Sequence, residues 1–194
     1  MSYRYGFKTE ANDIAREIRG ELDLGPLDPL DPRLLAQWLE IPLIELSEFV
    51  AEAPAVAHLL EVEQEVFSAV TVFCGSRRTI VHNDGHSPGR QNSNISHELG
   101  HGLLHHPPTP ALDNSGCRNW NQDIEDEAQW LAGVLLVTED AALAIARAGE
   151  PLALAAVRLG VSEPMVRFRL NVTGAYTRVQ RRQNYRSSPA RRGG

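Results

Sequence analysis

The chain of 194 residues has little that would mark a secreted or membrane protein. Cys74 and Cys117 are its only cysteines, too few for a disulfide framework. The N-terminus lacks an apolar signal region, and no apolar run approaches the roughly 20 residues that a membrane-spanning helix needs. Aromatic residues make up only 6% of the sequence, so aliphatic side chains are expected to build most of the core. These absences predict a cytoplasmic protein without a membrane partner.

Acidic residues are missing from the C-terminal end. All 25 lie at or before Glu163, whereas eight of the 19 basic residues follow it. Residues 1–163 hold 11 basic residues and a formal charge of −14, and residues 164–194 carry +8. We expect residues 175–194 to be a disordered basic tail, with nucleic-acid contact as the alternative. The acidic body disfavours nucleic acid as the partner of the main domain.

Apolar periodicity and turn residues predict an α+β fold. Helices are expected over residues 10–20, 33–40, 90–106, 121–137 and 139–148, with two short helices between 151 and 172. Residues 42–46 form a short predicted strand, and residues 56–73 and 79–82 predict three strands joined by turns. Gly75-Ser76 is the expected turn between the last two strands.

A metal-binding motif lies within the predicted helix 90–106. It reads His97-Glu98-Leu99-Gly100-His101. Residues four apart lie on the same helix face, so the two imidazoles can converge on one zinc ion. Glu98 projects near the metal and is the candidate general base for a metal-bound water. The alternative is a helix with two incidental surface histidines.

A hydrolytic zinc site needs a third protein ligand, and the predicted helix 121–137 is the best source. Its first turns offer four carboxylates: Asp123, Glu125, Asp126 and Glu127. Glu127 shares a face with Trp130, Leu131 and Val134, whereas Glu125 and Asp126 are expected to point toward solvent. Because an inward carboxylate is costly unless it is paired or metal-bound, Glu127 is the predicted third ligand. The alternative is a first-turn acid that favours the helix dipole.

The remaining candidates have weaker support. Asp123 could orient a ligand histidine from outside the metal shell. His82 or His86, near the loop before the helix, could hydrogen-bond a tetrahedral intermediate, although loop structure is the simpler interpretation. His105 or His106 could help to bind substrate. Neither cysteine has neighbours at metal-ligand spacing.

Three stretches of sequence resemble the ImmA/IrrE metallo-endopeptidases. The first, Asn83–Gln91, leads into Ile95-Ser-His-Glu-Leu-Gly-His-Gly-Leu-Leu-His. The second is Glu125-Asp-Glu-Ala-Gln-Trp-Leu-Ala-Gly-Val-Leu-Leu-Val, and the third is Gly160-Val-Ser, followed by Arg169-Leu170. The resemblance covers roughly residues 10–172 and implies that the glutamate before alanine, Glu127, is the third zinc ligand.

The resemblance also implies a fold and a substrate. The expected fold is a zincin-like α+β domain over residues 1–150, with a small three-stranded sheet packed on the active-site helix. A helix-turn-helix-like segment, residues 151–174, follows it. The implied substrate is a protein, typically a helix-turn-helix repressor of the XRE type, cleaved by water that Glu98 activates at Zn²⁺. A site of two histidines and a glutamate also accepts Mn²⁺.

Two other functions are open on the sequence alone. Residues 151–172 have the form of a helix-turn-helix, with Ser162 as N-cap and Arg167 and Arg169 on the second helix, so a DNA-binding regulator is the main alternative. A helical hairpin packed on the protease domain accounts for the same pattern. A metal-bound interaction protein without catalysis is the third hypothesis, and the presence of Glu98 argues against it.

Overall fold

The computed structural model describes residues 3–107 and 121–187. Within these ranges the chain forms an α+β structure with the following elements in order: α1 (Phe7–Glu21), α2 (Pro32–Trp38), β1 (Leu43–Glu45), a 3-10 turn (Leu46–Phe49), α3 (Ala55–Glu61), β2 (Ala69–Cys74), β3 (Arg77–His82), α4 (Pro88–Leu103), α5 (Gln122–Leu136), α6 (Glu139–Ala148), α7 (Leu152–Leu159), α8 (Glu163–Val172) and α9 (Ala175–Ser187). The α+β class is the one that the sequence predicts. No helix in the described part of the chain is long and apolar enough to cross a bilayer.

The three strands form one small sheet with β3 in the centre. β1 runs parallel to β3, with Leu43 opposite Ile80, and β2 runs antiparallel to β3, with Val70 opposite Val81. The predicted turn at Gly75-Ser76 joins β2 and β3. β2 therefore lies at an edge of the sheet, and α4 packs against both β2 and β3.

Two segments differ from the sequence-based predictions. Residues 55–61, expected to begin a strand, form α3, because alanine and leucine favour a helix more strongly than the neighbouring valines favour a strand. Residues 175–187, expected to be disordered, form α9, in which Ala175 and Val179 lie on one face and pack against the apolar core. The rest of the predicted tail, residues 188–194, lies outside the described residues.

The core consists of two apolar clusters that meet along α5. The first joins α1, α2, α4, α5 and β3, and its members include Phe7, Leu35, Ile80, Leu99 and Leu131. The second joins the end of α5 to α6, α7, α8 and α9, and its members include Leu136, Ile145, Leu159, Val166 and Ala175. The helices on either side of residue 150 thus share one core, and α5 is held from both sides.

Two buried arginines stabilise the C-terminal end of α5. Arg19, from α1, donates to the Leu135 carbonyl at 2.8 Å, and Arg169, from α8, donates to the Val137 carbonyl at 2.9 Å. The last carbonyls of a helix lack intrahelical partners and carry partial negative charge, which favours cationic donors. Burial lowers the pKa of Arg169 to about 10. These contacts fix α5, which carries the carboxylates of the candidate site.

Candidate metal centre

The two motif histidines lie side by side on one face of α4. Pro88 in the first turn favours the start of this helix, which begins two residues before the predicted boundary. Ile95 and Leu99 are fully buried in the core. His97 and His101, one turn apart, face the adjoining cleft, and their Nε2 atoms are 3.1 Å from each other.

α5 crosses α4 closely enough to bring Glu125 to these histidines. A Cβ atom added to Gly100 would lie only 3.0 Å from the Ala128 carbonyl oxygen, so the two backbones nearly touch there. His97 is one turn before Gly100, and Glu125 is one turn before Ala128. Glu125 Oε2 consequently lies 3.1 Å from His97 Nε2 and 3.6 Å from His101 Nε2.

The geometry of these three residues fits a tetrahedral metal. Bonds of about 2.0–2.1 Å at tetrahedral angles place ligand atoms about 3.3 Å apart. The observed separations in the cluster of His97, His101 and Glu125 are 3.1, 3.1 and 3.6 Å. The donor set of two imidazoles and one carboxylate suits zinc.

The Glu125 carboxylate is strongly biased toward its ionised form. Burial opposes ionisation, but hydrogen bonds from His101 and His97 outweigh it and lower the pKa of Glu125 to about 2. An ionised carboxylate is the form that binds a metal ion.

Glu127, the third ligand predicted from the sequence, lies elsewhere. The residue is buried, as the sequence predicts, but it is not brought together with His97 and His101. Arg4 Nε donates to both of its carboxylate oxygens, at 3.1 and 3.2 Å. His106 Nε2 is 3.7 Å from Glu127 Oε2. The inward position of Glu127 does not place it beside His97 and His101, because α5 is buried on nearly every side. Burial alone therefore does not identify the face of α5 that meets α4.

The end of α4 folds His106 back over His101. The helix ends at Leu103, three residues before the predicted boundary, because His105 adopts a left-handed conformation with φ 53°. The His106 N–H then donates to the His101 carbonyl at 3.0 Å, and the His105 N–H donates to the Gly102 carbonyl at 3.1 Å. These bonds form a Schellman motif. As a result, the Nδ1 atoms of His101 and His106 are 2.9 Å apart.

Glu98 lies in a cleft between α4, α5 and β2. The cleft has a volume of about 660 Å³, and His97, His101 and Glu125 also line it. Thr71 Oγ1, on the edge strand β2, donates to Glu98 Oε2 at 2.6 Å. One carboxylate oxygen of Glu98 is therefore held by the sheet.

The two histidines before α4 are both buried. His86 is buried, its Nε2 lies 2.7 Å from the Gln64 carbonyl oxygen, and its Nδ1 lies 3.0 Å from the Asn94 amide nitrogen. His82 is also buried, and burial lowers the pKa of its imidazole. The contacts of His86 support the simpler interpretation of that residue, whereas the buried Nδ1 of His82 has no hydrogen-bond partner among the described residues.

The remaining candidates lie away from the metal cluster. Asp123 is exposed in the first turn of α5, and its backbone N–H donates to the Asn121 side chain at 3.1 Å. Cys74 is exposed at the end of β2. Cys117 falls outside the described residues.

The sequence contains a signal for the approach of Glu125 to the two histidines, which the sequence-based prediction did not use. Gly100 on α4 and Ala128 on α5 are small residues of the kind that allow two helices to approach closely. If α4 and α5 are assumed to cross at Gly100 and Ala128, His97 and Glu125 come together. The apolar periodicity of α5, taken alone, favours Glu127. Two other contacts join residues that are far apart in the sequence. Thr71 and Glu98 are 27 positions apart, and Arg4 and Glu127 are 123 positions apart, so local sequence patterns do not predict either contact.

Comparison with known proteins supports the chemistry of this centre. The family model of the peptidase M78 family, described as the IrrE N-terminal-like domain, matches residues 46–171, well over half of the chain. No curated protein and no solved structure gave a match. The match contains β2, Glu98 and the cluster of two histidines and Glu125, so the family and the geometry agree on a metallopeptidase with a protein substrate. The chain belongs to the peptidase M78 family, as its resemblance to the ImmA/IrrE proteins predicts.

Proposed function

We propose that this protein is a zinc-dependent endopeptidase whose metal is held by His97, His101 and Glu125. The observation that carries the proposal is the convergence of three ligand atoms, mutually within 4.8 Å, in a cleft that also contains Glu98. Glu125 takes the place that sequence reasoning gave to Glu127, because Glu125 lies within reach of both imidazoles and Glu127 is paired with Arg4.

Glu98 is the proposed general base. Zinc in such a site lowers the pKa of a water molecule and polarises a carbonyl group. Glu98 would take a proton from the attacking water and later deliver it to the leaving amine of the cleaved peptide bond. Thr71 donates to Oε2 of Glu98, so Oε1 is the oxygen that we propose for this transfer.

The edge strand β2 is the proposed binding strand for the substrate. Ala69, Val70 and Thr71 line the cleft, and β2 pairs with β3 on its other side. An extended peptide can add to such an edge through main-chain hydrogen bonds. The substrate that we propose, following the family resemblance, is a helix-turn-helix repressor of the XRE type.

The DNA-binding alternative loses part of its support. The sequence places two arginines on the second helix of the helix-turn-helix-like pair. Arg169 is only 1% exposed and donates to the Val137 carbonyl, so it is not available to a phosphate group. Arg167 is exposed. One arginine is fewer than the phosphate contacts on which DNA affinity usually depends.

Cleavage of a repressor tests the proposed function. Purified protein loaded with Zn²⁺ would be incubated with XRE-type repressors encoded near its gene, and the products identified by mass spectrometry. We expect a discrete cut with the wild type and a rate at least about 100-fold lower with Glu98→Gln, which removes the base and keeps the shape. Equal cleavage by both proteins would contradict the assignment of Glu98.

Manganese provides a second comparison. The dissociation constants for Mn²⁺ and Zn²⁺ would be measured on the same metal-free protein. Because a site of two imidazoles and one carboxylate accepts both ions, we expect binding of either, with zinc the tighter. Tighter binding of manganese would contradict the assignment of zinc.

A further inference from the structure

A row of four side chains leads from the metal centre to the N-terminal segment. His101 Nδ1 is 2.9 Å from His106 Nδ1, and His106 Nε2 is 3.7 Å from Glu127 Oε2. Arg4 donates to Glu127 and also to Glu10, at 2.9 Å. His101 and Glu127 lie on α4 and α5, and Arg4 precedes α1, so the row links three separate parts of the chain.

The proton positions along this row are set by the metal-binding atom. If His101 binds a metal through Nε2, its Nδ1 carries the proton. That proton can be donated to His106 Nδ1, which then acts as acceptor and carries its own proton on Nε2. The Nε2–H of His106 faces the Glu127 carboxylate. A partner that fixes the tautomer of a ligand imidazole raises metal affinity, and here His106 would be that partner of His101, with its own tautomer fixed by Glu127.

His106 lies at the wall of the cleft and is largely buried. Its side chain is only 9% exposed, and both ring nitrogens face protein partners. The left-handed turn at His105 fixes its backbone against the end of α4. His97 differs from His101, since the buried Nδ1 of His97 has no hydrogen-bond partner among the residues that the structure describes.

We propose that His106, braced by Glu127 and Arg4, is a positioning residue that keeps the proton on His101 Nδ1 and turns His101 Nε2 toward the metal. The inference rests on the metal site proposed above and gives a role to Glu127 outside the ligand set. It also ties metal affinity to the N-terminal segment through Arg4.

Zinc affinity without any activity assay tests the inference. The dissociation constant for Zn²⁺ would be measured by competition with a chromophoric chelator for the wild type, His106→Leu and His106→Asn. Leucine fills the site without an acceptor, whereas the asparagine Oδ1 can occupy the place of Nδ1 and accept from His101. We expect leucine to weaken binding by about 10- to 100-fold and asparagine to stay within about threefold of the wild type.

Two further variants complete the experiment. Glu127→Gln is expected to weaken zinc binding by about three- to tenfold, since the amide retains a hydrogen-bond acceptor but loses the charge. His105→Asn serves as the matched control, because it changes an exposed neighbouring histidine and asparagine tolerates the left-handed conformation. Thermal unfolding of each zinc-free protein verifies that the variants are folded.

The outcomes separate this inference from the proposed function. Wild-type affinity in His106→Leu, or equal losses in the leucine and asparagine variants, would overturn the positioning role while leaving the metal site intact. Loss of zinc in Glu127→Gln as complete as in Glu125→Gln would also overturn it, since Glu127 would then be a ligand. If the wild type itself bound no zinc, the proposed function would fail together with the inference.

Discussion

The close crossing of α4 and α5 makes Gly100 sensitive to the addition of a single methyl group. In Gly100→Ala the new Cβ would lie 3.0 Å from the Ala128 carbonyl oxygen and 3.5 Å from its Cα. Both are backbone atoms, so the helices must move apart by about 0.4 Å to reach ordinary contact distances. Overpacking of this kind costs about 1–3 kcal/mol and outweighs the gain of about 1 kcal/mol from replacing glycine in a helix.

The same displacement should weaken the metal centre. His97 and Glu125 lie one turn from the crossing, so separation of the helices lengthens the distance of 3.1 Å between their ligand atoms. We expect Zn²⁺ affinity in Gly100→Ala to fall by about tenfold, which corresponds to about 1.4 kcal/mol. The assays are urea unfolding of the zinc-free protein and chelator competition for zinc.

Gly102→Ala is the matched control on the same helix. Among the described residues its Cβ would meet the Arg78 side chain alone, with Nη1 at 2.9 Å, and this long side chain can move aside. We expect Gly102→Ala to stabilise the protein by about 0.5–1 kcal/mol and to leave zinc affinity unchanged. Similar stabilisation in both variants, with zinc affinity intact in Gly100→Ala, would refute the reasoning about the crossing.

Three further predictions follow from the described contacts. His105→Gly should raise the free energy of unfolding by about 0.5–1 kcal/mol, because glycine adopts the left-handed conformation at φ 53° without strain; a lower value in urea unfolding would contradict this. Arg169→Ala should lower it by about 2–4 kcal/mol, since a buried side chain is removed and the Val137 carbonyl loses its donor; a loss below about 0.5 kcal/mol would show that the contact is dispensable. Glu125→Gln should destabilise the zinc-free protein by about 1–2 kcal/mol after allowance for solvent screening. The pKa of Glu125 falls from 4.5 to about 2 on folding, so its stabilising effect is present above pH 4.5 and is lost as the pH falls toward 2. A difference between variant and wild type that does not shrink in this window would contradict the assignment.

The sequence predicts those features of the fold that depend on local patterns. Caps and glycines mark the helix ends well: Ser162 caps α8, and Gly149 ends α6, both as predicted. The pentamer that contains His97 and His101 also lies on a helix, as the local sequence pattern predicts. Two segments are harder to predict from local patterns. The helix α9 is held by packing against distant residues, and in α3 the helix propensity of alanine and leucine competes with β-branched neighbours.

In the candidate site, too, some residues can be predicted from local sequence patterns and others cannot. The two histidines and the neighbouring Glu98 can be identified because their spacing is fixed by the helix itself. The proposed third ligand comes from a second helix, and the choice among its carboxylates depends on where α4 and α5 cross. The sequence pattern of α5 favoured Glu127, and the contact between Gly100 and Ala128 brings Glu125 to the histidines. A prediction of the third ligand therefore requires the helix crossing as well as the apolar periodicity.

Zinc binding by Glu125→Gln and Glu127→Gln tests the central claim most directly. Each protein would be saturated with Zn²⁺, freed of excess metal by gel filtration and analysed for metal content beside the wild type. We predict about one zinc per chain in the wild type and in Glu127→Gln, and far less in Glu125→Gln, because only the last variant loses a direct ligand. Full zinc content in Glu125→Gln, together with its loss in Glu127→Gln, would contradict the proposed ligand set and restore Glu127 as the third ligand.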